Sequence, residues 1–117
     1  VDDSIVRSTT IKKVIAMLRK AGAKEIHVRV ASPPIKSTCH FGVDMATLSQ
    51  LIAANKTNDE IRDLIEADSL AYLSVEGLEK ATKSKKSEYC KGCFTGKYPI
   101  PVQLEMDKLT LEKEINI

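Results

Sequence analysis

Apolar residues recur along this chain with two different periods, and the switch between them predicts its elements. Ile11, Val14, Ile15 and Leu18 fall at i, i+3, i+4 and i+7, which marks one apolar face of a helix. Gly22 stands where a left-handed C-terminal cap is expected. Ile26, Val28 and Val30 then alternate with His27 and Arg29, the period of a strand, and Pro33-Pro34 must end it. Strand, loop, helix and strand make a βαβ unit, so the fold class is α/β, with a mostly parallel sheet and a right-handed crossover.

Further along, a long connection runs from Ser32 to Ala46. Thr47 with Gln50 predicts a capping box for a short helix through Leu48, Leu51 and Ile52, and Thr57 with Glu60 repeats the device before Ile61, Leu64 and Ile65. Leu70 to Leu73 reads as a further parallel strand, and Ser74 as the cap of a helix through Val75 and Leu78. The expected division is residues 1–82, a cysteine-containing segment at 83–102 and a tail at 103–117, read as a charged helix or frayed end.

Composition narrows the partners. At 117 residues the chain is one domain at most. A formal charge of +2 implies no strong polyanion, and Tyr72, Tyr89 and Tyr98 show no stacking pattern suited to nucleic acid. Lys80, Lys83, Lys85 and Lys86 read as a solvated basic run. No stretch approaches the roughly 20 apolar residues of a membrane span. The chain opens on Val1 directly at an acid pair, where several apolar residues of a buried strand are normally found first. It therefore reads as the C-terminal part of a longer protein.

Chemistry concentrates at that opening, Val1-Asp2-Asp3-Ser4-Ile5-Val6-Arg7-Ser8-Thr9-Thr10. Two carboxylates can accept hydrogen bonds from a sugar diol. The loop amides, hydroxyls and positive end of the following helix can hold a phosphate dianion. Two adjacent Asp at a strand end are also ordinary turn or capping residues. Placement favours the ligand reading, since ligands of open α/β sheets gather at the carboxyl ends of strands. His27 reads as a partly exposed structural histidine.

This run resembles the phosphoribosylpyrophosphate-binding signature of type I phosphoribosyltransferases, most closely the glutamine phosphoribosylpyrophosphate amidotransferase family. The similarity continues through Ala21-Gly22-Ala23-Lys24-Glu25, Ala31-Ser32-Pro33-Pro34-Ile35-Lys36, Phe41-Gly42-Val43-Asp44-Met45 and Cys93-Phe94-Thr95-Gly96-Lys97-Tyr98-Pro99. It implies part of a type I phosphoribosyltransferase fold with an irregular C-terminal segment. It also implies that Asp2 and Asp3 contact the ribose hydroxyls and help position Mg²⁺, and that Ser4, Ile5, Val6, Arg7, Ser8, Thr9 and Thr10 wrap the 5′-phosphate. The family usually has Gly where this chain has Ser8. A position needing positive φ or close backbone approach would penalise Ser.

Three cysteines remain: Cys39, and Cys90 with Cys93 as a C-x-x-C. Alone, this pattern is open to free thiols, a disulfide, a redox pair or a metal site. In the iron–sulfur branch of the resembled family, thiolates at these places hold a [4Fe–4S] cluster. Such a cluster needs four ligands, so the fourth is expected upstream of Val1. The competing metal is Zn²⁺, with His40 completing a Cys₃His set.

The implied function is an enzyme, an amidophosphoribosyltransferase. It would form phosphoribosylamine from phosphoribosylpyrophosphate and glutamine-derived ammonia at the start of purine synthesis. An N-terminal glutaminase domain, purine nucleotides as feedback ligands, homo-oligomerisation and a cytoplasmic location go with that reading. The segment alone is expected to be inactive, with no catalytic residue of its own. The alternatives are another type I phosphoribosyltransferase and a non-catalytic sensor of phosphoribosylpyrophosphate or nucleotide.

Overall fold

A computed structural model describes residues 1–42, 47–83, 85 and 88–100. The Asp44 and Met45 positions and the 103–117 tail lie outside the described residues, as does Lys86 of the basic run. The elements are α1 (Thr9–Lys20), β1 (His27–Val30), a 3₁₀ turn (Leu48–Gln50), α2 (Ile52–Asn55), α3 (Asn58–Ile65), β2 (Ser69–Tyr72), α4 (Val75–Ala81) and α5 (Gly92–Thr95). β1 and β2 pair in parallel, Val28 opposite Leu70 and Val30 opposite Tyr72. Asp2 extends the sheet on the other side of β1 through a parallel bridge to Val30.

Local chemistry accounts for most of these boundaries. α1 ends in a Schellman motif: Gly22 N–H donates to Arg19 O and Ala23 N–H to Leu18 O, both at 3.0 Å, with Gly22 at φ +103°. At α3 the predicted box is complete. Glu60 N–H donates to Thr57 Oγ1 at 3.3 Å, and Thr57 N–H donates to Glu60 Oε2 at 2.7 Å. Ser74 caps α4 by accepting from Gly77 N–H at 2.9 Å.

Two expectations need correcting. The single helix predicted across Leu48, Leu51 and Ile52 is split, because Leu51 adopts an extended conformation (φ −74°, ψ 108°) between the 3₁₀ turn and α2. Asn55 Nδ2 bridges the break, donating to Leu51 O at 2.8 Å and Leu48 O at 3.1 Å. Along α1, Ile15 is buried and Ile11 partly so, while Val14 and Leu18 remain 44% and 46% exposed. The apolar stripe is wider than the surface that β1, α3 and the loop present to it.

The main core joins Ile5, Ile15, Ile26, Val28, Val30, Ile52, Ala53, Ile61, Ile65 and Leu70. β1 buries Val28 and Val30 and exposes His27 and Arg29, so helices cover one face of the sheet. On the other face His27 Nδ1 lies 2.8 Å from Ser69 Oγ and Nε2 lies 3.2 Å from Glu25 Oε2. A smaller cluster sets Ile35 and Leu51 against Val6, Cys93 and Phe94.

Asp68 fastens the amino end of this layer. Its Oδ2 accepts from Ile26 N–H at 2.7 Å and from Arg19 Nη2 at 2.6 Å, and Arg19 Nη1 also donates to Lys24 O at 2.8 Å. The Ile26 amide first, and the Arg19 guanidinium second, hold the carboxyl below its ordinary value. A depressed folded pKa stabilises above the unfolded pKa of about 4, and that contribution disappears as pH falls through the folded value. Asp68→Asn should therefore lower the melting temperature at pH 7 and flatten the loss of stability below pH ~4. A variant whose melting temperature falls with acid as steeply as the parent's would refute this role.

Candidate functional site

Asp2 sits where the chain leaves the sheet. Its N–H donates to Arg29 O and its carbonyl accepts from Ala31 N–H, both at 2.9 Å, so its backbone belongs to the sheet while its side chain stands at the carboxyl end. Each acid is then set by the amide after it. Asp3 N–H donates to Asp2 Oδ1 at 2.9 Å, and Ser4 N–H donates to Asp3 Oδ1 at 2.6 Å. Ile5, 2% exposed, roots the loop in the main core.

The far side of the loop is tied to the 3₁₀ turn and α2. Ile52 N–H donates to Val6 O at 3.0 Å, and Arg7 Nη2 donates to Gln50 Oε1 at 3.1 Å. Ser8 is the N-cap of α1 at φ −72° and ψ −8°, and its side chain makes no capping bond. The first turn of α1 carries no acidic residue, so its positive end is not neutralised from within. Arg19 and Lys20 in the last turn complement the opposite end of the dipole.

Asp2, Asp3, Ser4, Ile5, Val6, Arg7 and Thr10 line one cavity of about 840 Å³. Ile11, Ser32, Ile35, Cys39, Cys93 and Phe94 complete it. Of the residues expected to wrap a phosphate, Ser8 and Thr9 stand behind this lining, at the start of α1. The cavity thus combines two carboxylates, a guanidinium, hydroxyls and a helix N-terminus against an apolar wall. That arrangement can accept from a diol and donate to a phosphate.

The cysteine segment forms the apolar wall. Lys36 N–H and Ser37 N–H both donate to Cys93 O, at 2.9 and 3.0 Å, and Phe94 packs in the smaller core. Burial pushes the Cys93 thiol up, and nearby Cys39 and Cys90 add to the rise. Cys39 and Cys93 line the cavity beside the acid pair, while Cys90 lines a separate hollow next to α4. No group of three or more His, Cys, Asp or Glu among the described residues is arranged to hold a metal ion. His40, the fourth zinc ligand considered, packs edge-on against Tyr98 with ring centroids 4.9 Å apart. Tyr98 in turn donates to Thr38 O at 2.6 Å, and one side of its ring lies against Gly92.

The packing of Leu51 and Phe94 against the loop, and the tie from Gln50 to Arg7, escaped the sequence reading. Gln50 was visible only as a capping residue, and it does accept from Thr47 N–H at 3.3 Å. Its second bond crosses 43 residues, and no local pattern encodes it.

No family model matches the chain. It is 54% identical over 105 residues to the amidophosphoribosyltransferase of Methanocaldococcus jannaschii, a match covering 90% of this chain and 22% of that one. To those of Archaeoglobus fulgidus and Bacillus subtilis it is 51% and 49% identical, over 87% of its length in both cases and 23% and 22% of theirs. Among solved structures it superposes on the allosteric regulatory enzyme of purine biosynthesis with a TM-score of 0.81 at 48% identity, covering 89% of this chain and 23% of the other. A second is the B. subtilis glutamine phosphoribosylpyrophosphate amidotransferase complexed with ADP and GMP, with a TM-score of 0.80 at 46% identity over 87% and 23%. The chain thus spans less than a quarter of the relatives it matches, and its fold is part of the type I phosphoribosyltransferase architecture.

Two substitutions probe the local geometry. Ser8 adopts a right-handed conformation, so Ser8→Gly should relieve no strain and should change stability by less than about 0.5 kcal/mol, read by chemical denaturation. Gly92→Ala should be costly. A Cβ there would run into the Tyr98 ring, and overpacking of this kind costs about 1–3 kcal/mol. Equal denaturation midpoints for Gly92→Ala and the parent would show that Tyr98 can move aside freely.

Proposed function

The chain is homologous, over nine-tenths of its length, to the amidophosphoribosyltransferases, and from that premise we propose that it carries the ribose-phosphate half of such an enzyme's active site. The supporting observation is the shared cavity, in which the acid pair and the start of α1 face one ligand volume. In this reading the protein displaces pyrophosphate from phosphoribosylpyrophosphate with glutamine-derived ammonia, forming phosphoribosylamine for purine synthesis.

Each residue then has a task. Asp2 and Asp3 accept the ribose hydroxyls and fix the sugar's orientation. The amides from Ile5 onward, the Thr10 hydroxyl and the positive end of α1 receive the 5′-phosphate. Arg7 adds a charged donor. Ile35 and Phe94 present an apolar wall that keeps water from the sugar.

Asp2 and Asp3 would hold Mg²⁺ in this reading, and the ion would supply positive charge to offset that of the leaving pyrophosphate. The thiols fit their group less directly. We assign Cys39, Cys90 and Cys93 to a [4Fe–4S] cluster, with the fourth ligand from outside this segment. Among the described residues they do not form a metal-holding set, and no step of the reaction runs through them. A glutaminase domain supplying ammonia, nucleotide feedback, self-association and a cytoplasmic setting belong to the same proposal. No helix among the described residues is long and apolar enough to cross a membrane.

The test is calorimetric titration of Mg²⁺-phosphoribosylpyrophosphate into the intact natural chain and into its Asp2→Asn/Asp3→Asn variant. Removing two charged acceptors should weaken binding at least about tenfold. Equal affinities in the two proteins would place the ligand elsewhere.

A further inference from the structure

We propose that Gln50 is a positioning residue for Arg7, holding its guanidinium at the phosphate end of the cavity without discharging it. The inference rests on the ribose-phosphate reading above and adds a residue to it.

The geometry is one oxygen with two donors. Gln50 Oε1 accepts from Arg7 Nη2 at 3.1 Å and from Thr47 N–H at 3.3 Å. A backbone amide and a guanidinium can only donate, so both partners demand the carboxamide oxygen and fix its orientation. The 3₁₀ turn that carries Gln50 is itself anchored. Leu51 beside it is 0% exposed, and Ile52 N–H holds Val6 O at 3.0 Å. The backbone before Arg7 and the side chain of Arg7 are therefore gripped from the same short stretch.

Chemistry explains a glutamine at this place. Arg7 is exposed, and an exposed arginine samples many rotamers that a bound phosphate must freeze. A neutral acceptor removes part of that freedom beforehand and leaves the positive charge intact for the ligand. A carboxylate of the same shape would hold Arg7 more tightly. It would also compete with the phosphate for the guanidinium and repel the phosphate dianion. Gln50 meets the first need and avoids the second cost.

The experiment is a double-mutant cycle on the intact natural chain, with ribose 5-phosphate as ligand, ribose as the control and matched melting temperatures as the check on folding. Arg7→Met should weaken ribose 5-phosphate about tenfold or more. Gln50→Met should weaken it about three- to tenfold in the parent and have no further effect beside Arg7→Met, whereas Gln50→Glu should weaken it by a similar factor in the parent and keep only a smaller, repulsive loss beside Arg7→Met. Gln50→Glu discriminates more sharply, because it keeps the acceptor for Thr47 N–H and a purely structural glutamine would tolerate it. Silence of both Gln50 variants in a parent that binds, or an equal loss beside Arg7→Met, overturns the positioning role and leaves the site reading standing. Ribose 5-phosphate binding no better than ribose to the parent overturns both.

Discussion

The site depends on one backbone connection, the pair of hydrogen bonds by which Asp2 joins β1. Its N–H and C=O are both spent on the strand, to Arg29 O and from Ala31 N–H. A residue tied on both sides cannot swing, so its carboxylate must stand at the carboxyl end of the sheet. Everything after it follows from that starting point. Asp3 and Ser4 fold back onto the carboxylates one residue before them, and Ile5 drops into the core. The chain then reaches Ser8 in a conformation that starts α1. An acid pair on an untethered loop would have to be ordered by its ligand and would lose affinity for that reason. Here the sheet has already ordered it.

The smaller core extends the same logic to the other side of the cavity. Val6 on the loop, Leu51 behind it, Ile35 after β1 and the Cys93–Phe94 pair meet in one apolar contact. The cysteine segment is therefore a structural neighbour of the phosphate loop, although the two lie near opposite ends of the sequence. Its attachment is partly polar as well, through two amides donating to Cys93 O. The half-buried ion pair of Lys91 with Glu79 joins it to α4. A change that displaces Cys93 would reach Val6 through packed side chains, because a close-packed contact transmits displacement.

The limits of the sequence reading follow from the range over which each signal acts. The Thr57–Glu60 box, the Ser74 cap and the Gly22 motif were legible because their partners lie within five residues. β2 was legible too, within one residue, from its short apolar run. The interruption at Leu51 was not. The box at Thr47 and Gln50 suits a continuous helix, and only the tertiary pull of the smaller core turns Leu51 out of it. The α5 turn escaped for a similar reason: within Cys90-Lys91-Gly92-Cys93 nothing repeats at helical spacing, and the Tyr98 ring over Gly92 helps to settle its path.

The acid pair itself was visible in the chain, but its neighbours in the cavity were not, since Ser32, Ile35, Cys39 and Phe94 arrive there by topology. The α1 stripe is the opposite case, where the pattern was correct and the inference from it too broad. Ile11, Val14, Ile15 and Leu18 do lie on one apolar side of a helix, yet the described structure buries only the part that meets the main core. Met17, 70% exposed, widens the uncovered flank beside Val14 and Leu18. Periodicity states which positions share a face, whereas burial depends on what packs against that face, and one helix's sequence cannot contain that second fact.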